Sequence, residues 1–152
     1  MSFQVLRNIK NRQPDSGSPG MNRPESMTAC RRYPVGKEDV MKIQYLGTAA
    51  AEGWPALFCS CEICKRARKL GGKELRTRTQ ALLDETILID FPPDTYTHAL
   101  QYSLQLGQIQ HLLITHSHMD HFFPTDLIHR HEHFGHGAKG MLHVYGNEAV
   151  EK

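Results

Sequence analysis

No run of the 152-residue sequence approaches the ~18 consecutive apolar residues that a membrane helix needs, so no transmembrane span and no membrane partner are expected. The opening residues, MSFQVLRNIKNRQPD, lack the continuous apolar stretch of a secretory signal, and a cytoplasmic location is expected. Cysteine is scarce, at four residues, which excludes a disulfide-dense miniprotein. A strong excess of either charge is also missing, the formal net charge being +2. That small surplus sits in residues 1–40, which hold seven Lys/Arg against four Asp/Glu, while the rest of the chain is slightly acidic. Nucleic acid is therefore not an expected partner. With 39% hydrophobic and 22% charged residues, the chain is neither disordered throughout nor collagen-like, and it is long enough to bury a core.

Two features that are present are less ordinary. All ten histidines lie after position 97, and three of the four cysteines fall within six residues. Composition points to metal before any motif is read.

Residues 1–40 carry four of the eight prolines and the run DSGSPGMNRPES, without sustained apolar periodicity. They read as a disordered or non-native leader, with Met41 as a candidate natural start. From Met41 the pattern is organised. MKIQYLG alternates as a strand, and a helix over 61–70 presents Ile63, Ala67 and Leu70 on one face before Gly71-Gly72 stops it. TQALL and TILID flank Asp84-Glu85 as a hairpin. Asp94 is the expected N-cap of a helix over 95–106 ended by Gly107. HLLIT (111–115) reads as a buried strand, Pro124–Phe134 as a helix, MLHVYG (141–146) as a strand, and NEAVEK as the opening of a helix. Strands alternating with helices give an α/β reading.

The informative segment is HLLITHSHMDH (111–121). An apolar strand ends at Thr115 and then presents His116, His118, Asp120 and His121. In extended chain, residues two apart point the same way, so His116 and His118 can converge on one ion. Asp120 and His121 follow where the chain can turn and meet a second ion. Imidazoles with a carboxylate suit zinc, manganese or iron, and ligand type does not choose among them.

THSHMDH resembles the metal-binding signature of the metallo-β-lactamase-fold hydrolases. That resemblance implies His116 and His118 on a first metal, with Asp120 and His121 on a second. It also makes Asp120 the catalytic candidate, a ligand that orients the attacking water. TILID, ending in Asp90, resembles the strand aspartate that supports those ligands. Upstream, LGTAAAEGWPALFCSCEICKRAR resembles the branch typified by the carbon–phosphorus lyase accessory phosphodiesterases, and the likeness covers about residues 41–146.

Cys59, Cys61 and Cys64 are odd in number and too close for comfortable mutual disulfides. Three thiolates around a turn and a helix start match a structural zinc site lacking its fourth ligand. In the resembled branch that ligand is a later histidine. Cys30, in the leader, is left unassigned. His129, His131, His133 and His136 have no carboxylate at ligand spacing and read as a solvated face. The seven basic residues from Lys65 to Arg78 read equally as a solvated surface or a phosphate-attracting one. Leucines 82, 83, 88, 104 and 106 are expected in the core.

The expected fold is thus α/β, the N-terminal half of a metallo-β-lactamase αββα sandwich over residues 41–152, truncated before its second half. The expected function is metal-dependent hydrolysis of a small cyclic or nucleotide-like phosphodiester, with two zinc or manganese ions at the active site and one structural zinc. Two alternatives stand beside it: an RNA 3′-processing nuclease of the same superfamily, and a non-catalytic metal-binding fragment. A homodimer is left open.

Overall fold

The structure, a computed structural model, describes residues 2–5, 40–138 and 140–152. Its centre is a six-stranded sheet of β1 (Ser2–Val5), β2 (Ile43–Gly47), β3 (Gln80–Leu83), β4 (Ile87–Ile89), β5 (His111–Leu113) and β6 (His143–Gly146). The spatial order is β1-β6-β5-β4-β3-β2. Strands β2, β3 and β4 run antiparallel as neighbours, whereas β4, β5, β6 and β1 are parallel. Three α-helices, α1 (Glu62–Leu70), α2 (Thr95–Tyr102) and α3 (Glu148–Glu151), and three 3₁₀ helices complete the described fold.

The register explains the core. Leu82, Leu88, Leu112 and Val144 are successive partners across β3, β4, β5 and β6, so the pleat places all four on one face. All four are buried, and they pack with Phe91, Ile109, Ile114, Phe122, Leu127, Leu142 and Val150. Tyr45, Ala81, Ile89, Leu113 and Tyr145 form the matching row on the opposite face.

The β3–β4 hairpin is present where the sequence places it. Asp84 and Glu85 both take positive φ, at 45° and 61°, and Thr86 N–H donates to the Leu83 carbonyl. This is the mirror-image turn whose twist suits a tight hairpin. Asp84 also accepts from Lys42 N–H at 2.7 Å, tying the turn to the start of β2.

Several expectations are corrected. Asp94 does not cap α2; its carboxylate accepts from Arg78 N–H at 3.0 Å and from Arg78 Nη1 at 3.1 Å. Helix α2 ends at Tyr102 because Ser103 turns left-handed (φ 54°), which lets Leu104 and Leu106 pack onto the core. The segment expected as a helix over 124–134 is a 3₁₀ helix over Pro124–Arg130. It buries only Leu127, too little apolar face to hold an α-helix in place. Helix α1 buries Cys64 and Ala67, while Ile63 and Leu70 are exposed, because the helix packs on its cysteine side. Leu83, Leu104 and Leu106 are only partly buried.

Ser2–Val5, read from sequence as part of a leader, form β1 and pair with His143–Gly146. Four residues are too few to show a period, and the open edge of β6 supplies their partners. Residues 6–39 of the leader, with Cys30, lie outside the described residues.

Candidate metal centre

The parallel strands β4 and β5 end side by side, and the chain leaving each one builds the site. Asp90 follows β4 directly, with φ at 62°. Its N–H donates to the Leu113 carbonyl at 2.8 Å. Phe91 N–H donates to the His121 carbonyl and Phe123 N–H to the Phe91 carbonyl, both at 2.7 Å, so the histidine loop is stitched to the exit of β4. Within that loop, His121 and Phe122 N–H both donate to the His118 carbonyl, which closes the turn. Sites at the carboxyl ends of parallel strands are common in α/β folds because loops from several strands meet there.

This turn gathers the imidazoles. The ring centroids of His116 and His118 lie 4.7 Å apart, and those of His116 and His121 lie 4.0 Å apart. Asp120 Oδ2 stands 3.4 Å from His121 Nε2. His118 is exposed, and the other three residues are half-buried.

Asp90 fixes which nitrogens face outward. Its carboxylate is 1% exposed and can only accept. Oδ1 accepts from Thr115 N–H and from the Thr115 hydroxyl, each at 2.8 Å, and Oδ2 accepts from His121 Nδ1 at 2.7 Å. The Thr115 oxygen, its proton committed to Asp90, is left to accept from His116 Nδ1 at 3.1 Å. Both imidazoles therefore carry their proton on Nδ1 and offer the Nε2 lone pair. A carboxylate behind a histidine is the usual way of presenting imidazole to a metal. Three imidazoles and one carboxylate suit a divalent transition metal, and the residues present fit such a group.

Reading by sequence missed the layer beneath. Among the described residues, the buried polar side chains are Gln80, Asp90, Thr95 and His98, and they form one network. Gln80 Nε2 donates to the Asp90 carbonyl and to Thr95 Oγ1, each at 3.0 Å, and Thr95 Oγ1 donates to the Pro92 carbonyl at 2.7 Å. His98 joins Gln80 Oε1 through Nδ1, and Thr77 Oγ1 lies 2.6 Å from its Nε2. Thr77 can reach this place because Gly47 lets the chain pass: a Cβ there would lie 2.0 Å from the Arg78 carbonyl oxygen. The sequence signal was only a polar Gln opening an apolar strand and one histidine inside a helix.

The three cysteines converge around the start of α1. Among the described residues, their sulfurs are the set of three or more potential ligand atoms that all lie within 4.8 Å of one another. The histidine set is looser, as a set divided between two ions can be. Arg68 clamps the cysteine turn from α1, donating to the Cys59 carbonyl at 2.7 Å and the Ala56 carbonyl at 2.8 Å. With Lys65 bridged to Glu62 and Arg78 to Asp94, three of the seven basic residues already have protein partners. His129, His131, His133 and His136 are exposed, as a solvated face would be.

The thiols are not equivalent. Hydrogen bonds from the Cys64 backbone and from the Cys59 and Cys64 side chains lower the Cys61 pKa to about 7. Against a lowering hydrogen bond to the Ala56 backbone, burial and the neighbouring thiols push Cys64 up. Thiolate is the nucleophile, so Cys61 gains reactivity as pH rises through about 7 and loses it below. Iodoacetamide treatment of the metal-free chain, followed by peptide mass mapping, is expected to label Cys61 first and Cys64 last. Labelling of all three with one common midpoint near pH 9 would contradict this.

No family model matches the chain, and no curated protein does. A solved structure described as the crystal structure of a new diphosphatase from the PhnP family is similar to it, with 25% identity and a TM-score of 0.56. The match covers 73% of this chain and 43% of that one, so this chain spans less than half the length of its structural neighbour. No described helix is long and apolar enough to cross a membrane. The fold is α/β, and the likeness makes it the N-terminal half of a metallo-β-lactamase sandwich.

Proposed function

We propose that the chain carries the first half of a metal-dependent phosphodiesterase centre that acts on small cyclic or nucleotide-like diesters. The observation that carries this reading is the Asp90–Thr115 lock, which engages Nδ1 of both His116 and His121 at the ends of β4 and β5 and leaves both Nε2 atoms facing away from it. His116 and His118 would hold one divalent ion and Asp120 and His121 a second, with zinc and manganese the candidates. Bound there, the ions supply Lewis acidity and positive charge at a phosphoryl oxygen. Asp120 accepts a hydrogen bond from the attacking water and orients its lone pair toward phosphorus. The water oxygen then bonds to phosphorus as the ester oxygen departs, and the proton lost by the water ends on the released alcohol. The diphosphatase activity of the structural neighbour is chemistry of the same phosphoryl group. Cys59, Cys61 and Cys64 would hold a structural zinc, with a fourth ligand from elsewhere.

The test measures two things on the same preparations: manganese or zinc bound per chain by calorimetry, and hydrolysis of bis-p-nitrophenyl phosphate. His118→Ala and Asp120→Ala are each expected to lower turnover by about 100-fold or more, since even residues one step behind a metal ligand cost about 10–100-fold. Both variants should lose metal from the histidine site and keep one zinc that shields the cysteines from iodoacetamide. Unchanged hydrolysis and unchanged metal content in both variants would defeat the proposal.

A further inference from the structure

We propose that His98 is a positioning residue for the metal centre: through Gln80 it holds the backbone of Asp90 in the left-handed conformation from which the Asp90 carboxylate aims His121. This inference rests on the function proposed above and extends it to residues that touch neither metal nor substrate.

Hydrogen-bond chemistry gives the network one direction. The Asp90 carbonyl can only accept, so the Gln80 amide nitrogen must face it, and Gln80 Oε1 must point the other way. The group meeting Oε1 is His98 Nδ1, which must therefore carry a proton. His98 is fully buried, and burial holds its pKa below the usual histidine value against the raising pull of Asp94. In that neutral ring Nε2 is an acceptor, and Thr77 Oγ1, 2.6 Å away, donates to it. Donation runs without a gap from Thr77 through His98 and Gln80 to the accepting Asp90 carbonyl, and no described buried side-chain polar atom lacks a partner.

Burying four polar side chains is costly unless each is satisfied, and a satisfied network fixes one geometry. An apolar set of the same volume would fill this space at less risk to the fold. What the polar set adds is a grip on one peptide, the carbonyl of Asp90. That residue is strained, since a positive φ puts its Cβ close to the backbone. Its side chain, with Thr115, also holds the His121 ring nitrogen that faces inward. Loss of the grip lets Asp90 relax toward negative φ and swings its carboxylate off His121.

The experiment uses the whole chain and three readouts. Nitrogen-15 ring spectra of metal-free wild type should show His98 and His121 both protonated on Nδ1; His98 protonated on Nε2 would overturn the proposal without any variant. His98→Asn keeps a donor near the Nδ1 position, whereas His98→Leu removes it. Manganese affinity by calorimetry should stay within about threefold of wild type in His98→Asn and fall about tenfold or more in His98→Leu, the loss typical of a residue behind a metal ligand. Denaturant midpoints should fall in both, which separates positioning from stability. Equal affinities in the two variants, or a His98→Leu variant that binds as wild type does, would overturn the inference. If wild type itself binds no more manganese than His118→Ala, the functional reading fails instead.

Discussion

Asp90→Asn is expected to leave the fold standing and to cost the centre about 10–100-fold in metal affinity, with a comparable fall in hydrolysis. The substitution is nearly isosteric, yet its outcome is dictated by a group that cannot adapt. Thr115 N–H donates to Oδ1 of Asp90 and, being backbone, cannot become an acceptor. The asparagine oxygen must therefore take that place, which puts its amide nitrogen where Oδ2 meets His121 Nδ1. Two donors cannot face each other, so His121 moves its proton to Nε2 and loses the lone pair it would offer to a metal. Ring nitrogen-15 shifts of the metal-free variant should show His121 in the opposite tautomer from wild type, and calorimetry should show the weaker site. A variant whose His121 stays protonated on Nδ1, or whose affinity is within about twofold of wild type, would contradict this account of the site.

Leu112→Ala carries the second large effect, on stability. Leu112 is 1% exposed at the middle of the sheet, flanked in register by Leu88 and Val144, which are themselves 1% and 0% exposed. Its neighbours are fixed by strand pairing on both sides, so the space left behind cannot close. Large-to-small changes at such places cost about 3–5 kcal/mol. Against a typical total of about 5–15 kcal/mol, that removes a large share of what holds a domain of this size folded. Thermal unfolding is expected to shift down by about 10–20 °C. Ile43→Ala, on a residue 49% exposed at the start of β2, is the matched control and should shift it far less. Equal shifts for the two would mean that the row along β3, β4, β5 and β6 is not the core.

The candidate metal ligands were easy to see in the sequence because His116, His118, Asp120 and His121 lie within six residues, right after an apolar strand. Local spacing alone converges them. Asp90 could be found because it closes a strand. The hairpin at Asp84-Glu85 and the helix after the cysteines were legible for the same reason: each is decided by neighbours in sequence. Thr77, Gln80 and His98 were not, because they meet only after β3 pairs with β4 and α2 packs behind them. Nothing local distinguishes a histidine of that network from an ordinary helical one. The end of α2 was also hidden: Ser103 has no intrinsic claim to a left-handed turn, and Gly107, which has one, is passed over in favour of packing by Leu104 and Leu106. Ile63 and Leu70 misled because periodicity names an apolar face without saying which face the fold covers.

The pairing of β1 with β6 has a consequence for how this sheet is built. Residues 2–5 are synthesised well before their hydrogen-bonding partners, residues 143–146. Until then the first strand has nothing in the described sheet to pair with, and the parallel ladder must be completed from β4 through β5 and β6 before that edge can close. Such a long loop adds an entropic cost that no local contact repays in advance, so edge closure is a late event in folding. The candidate metal-binding turn, by contrast, is stitched together by residues that lie between the end of β4 and Phe123. The centre is therefore assembled from chain that is already available while the sheet still has an open side.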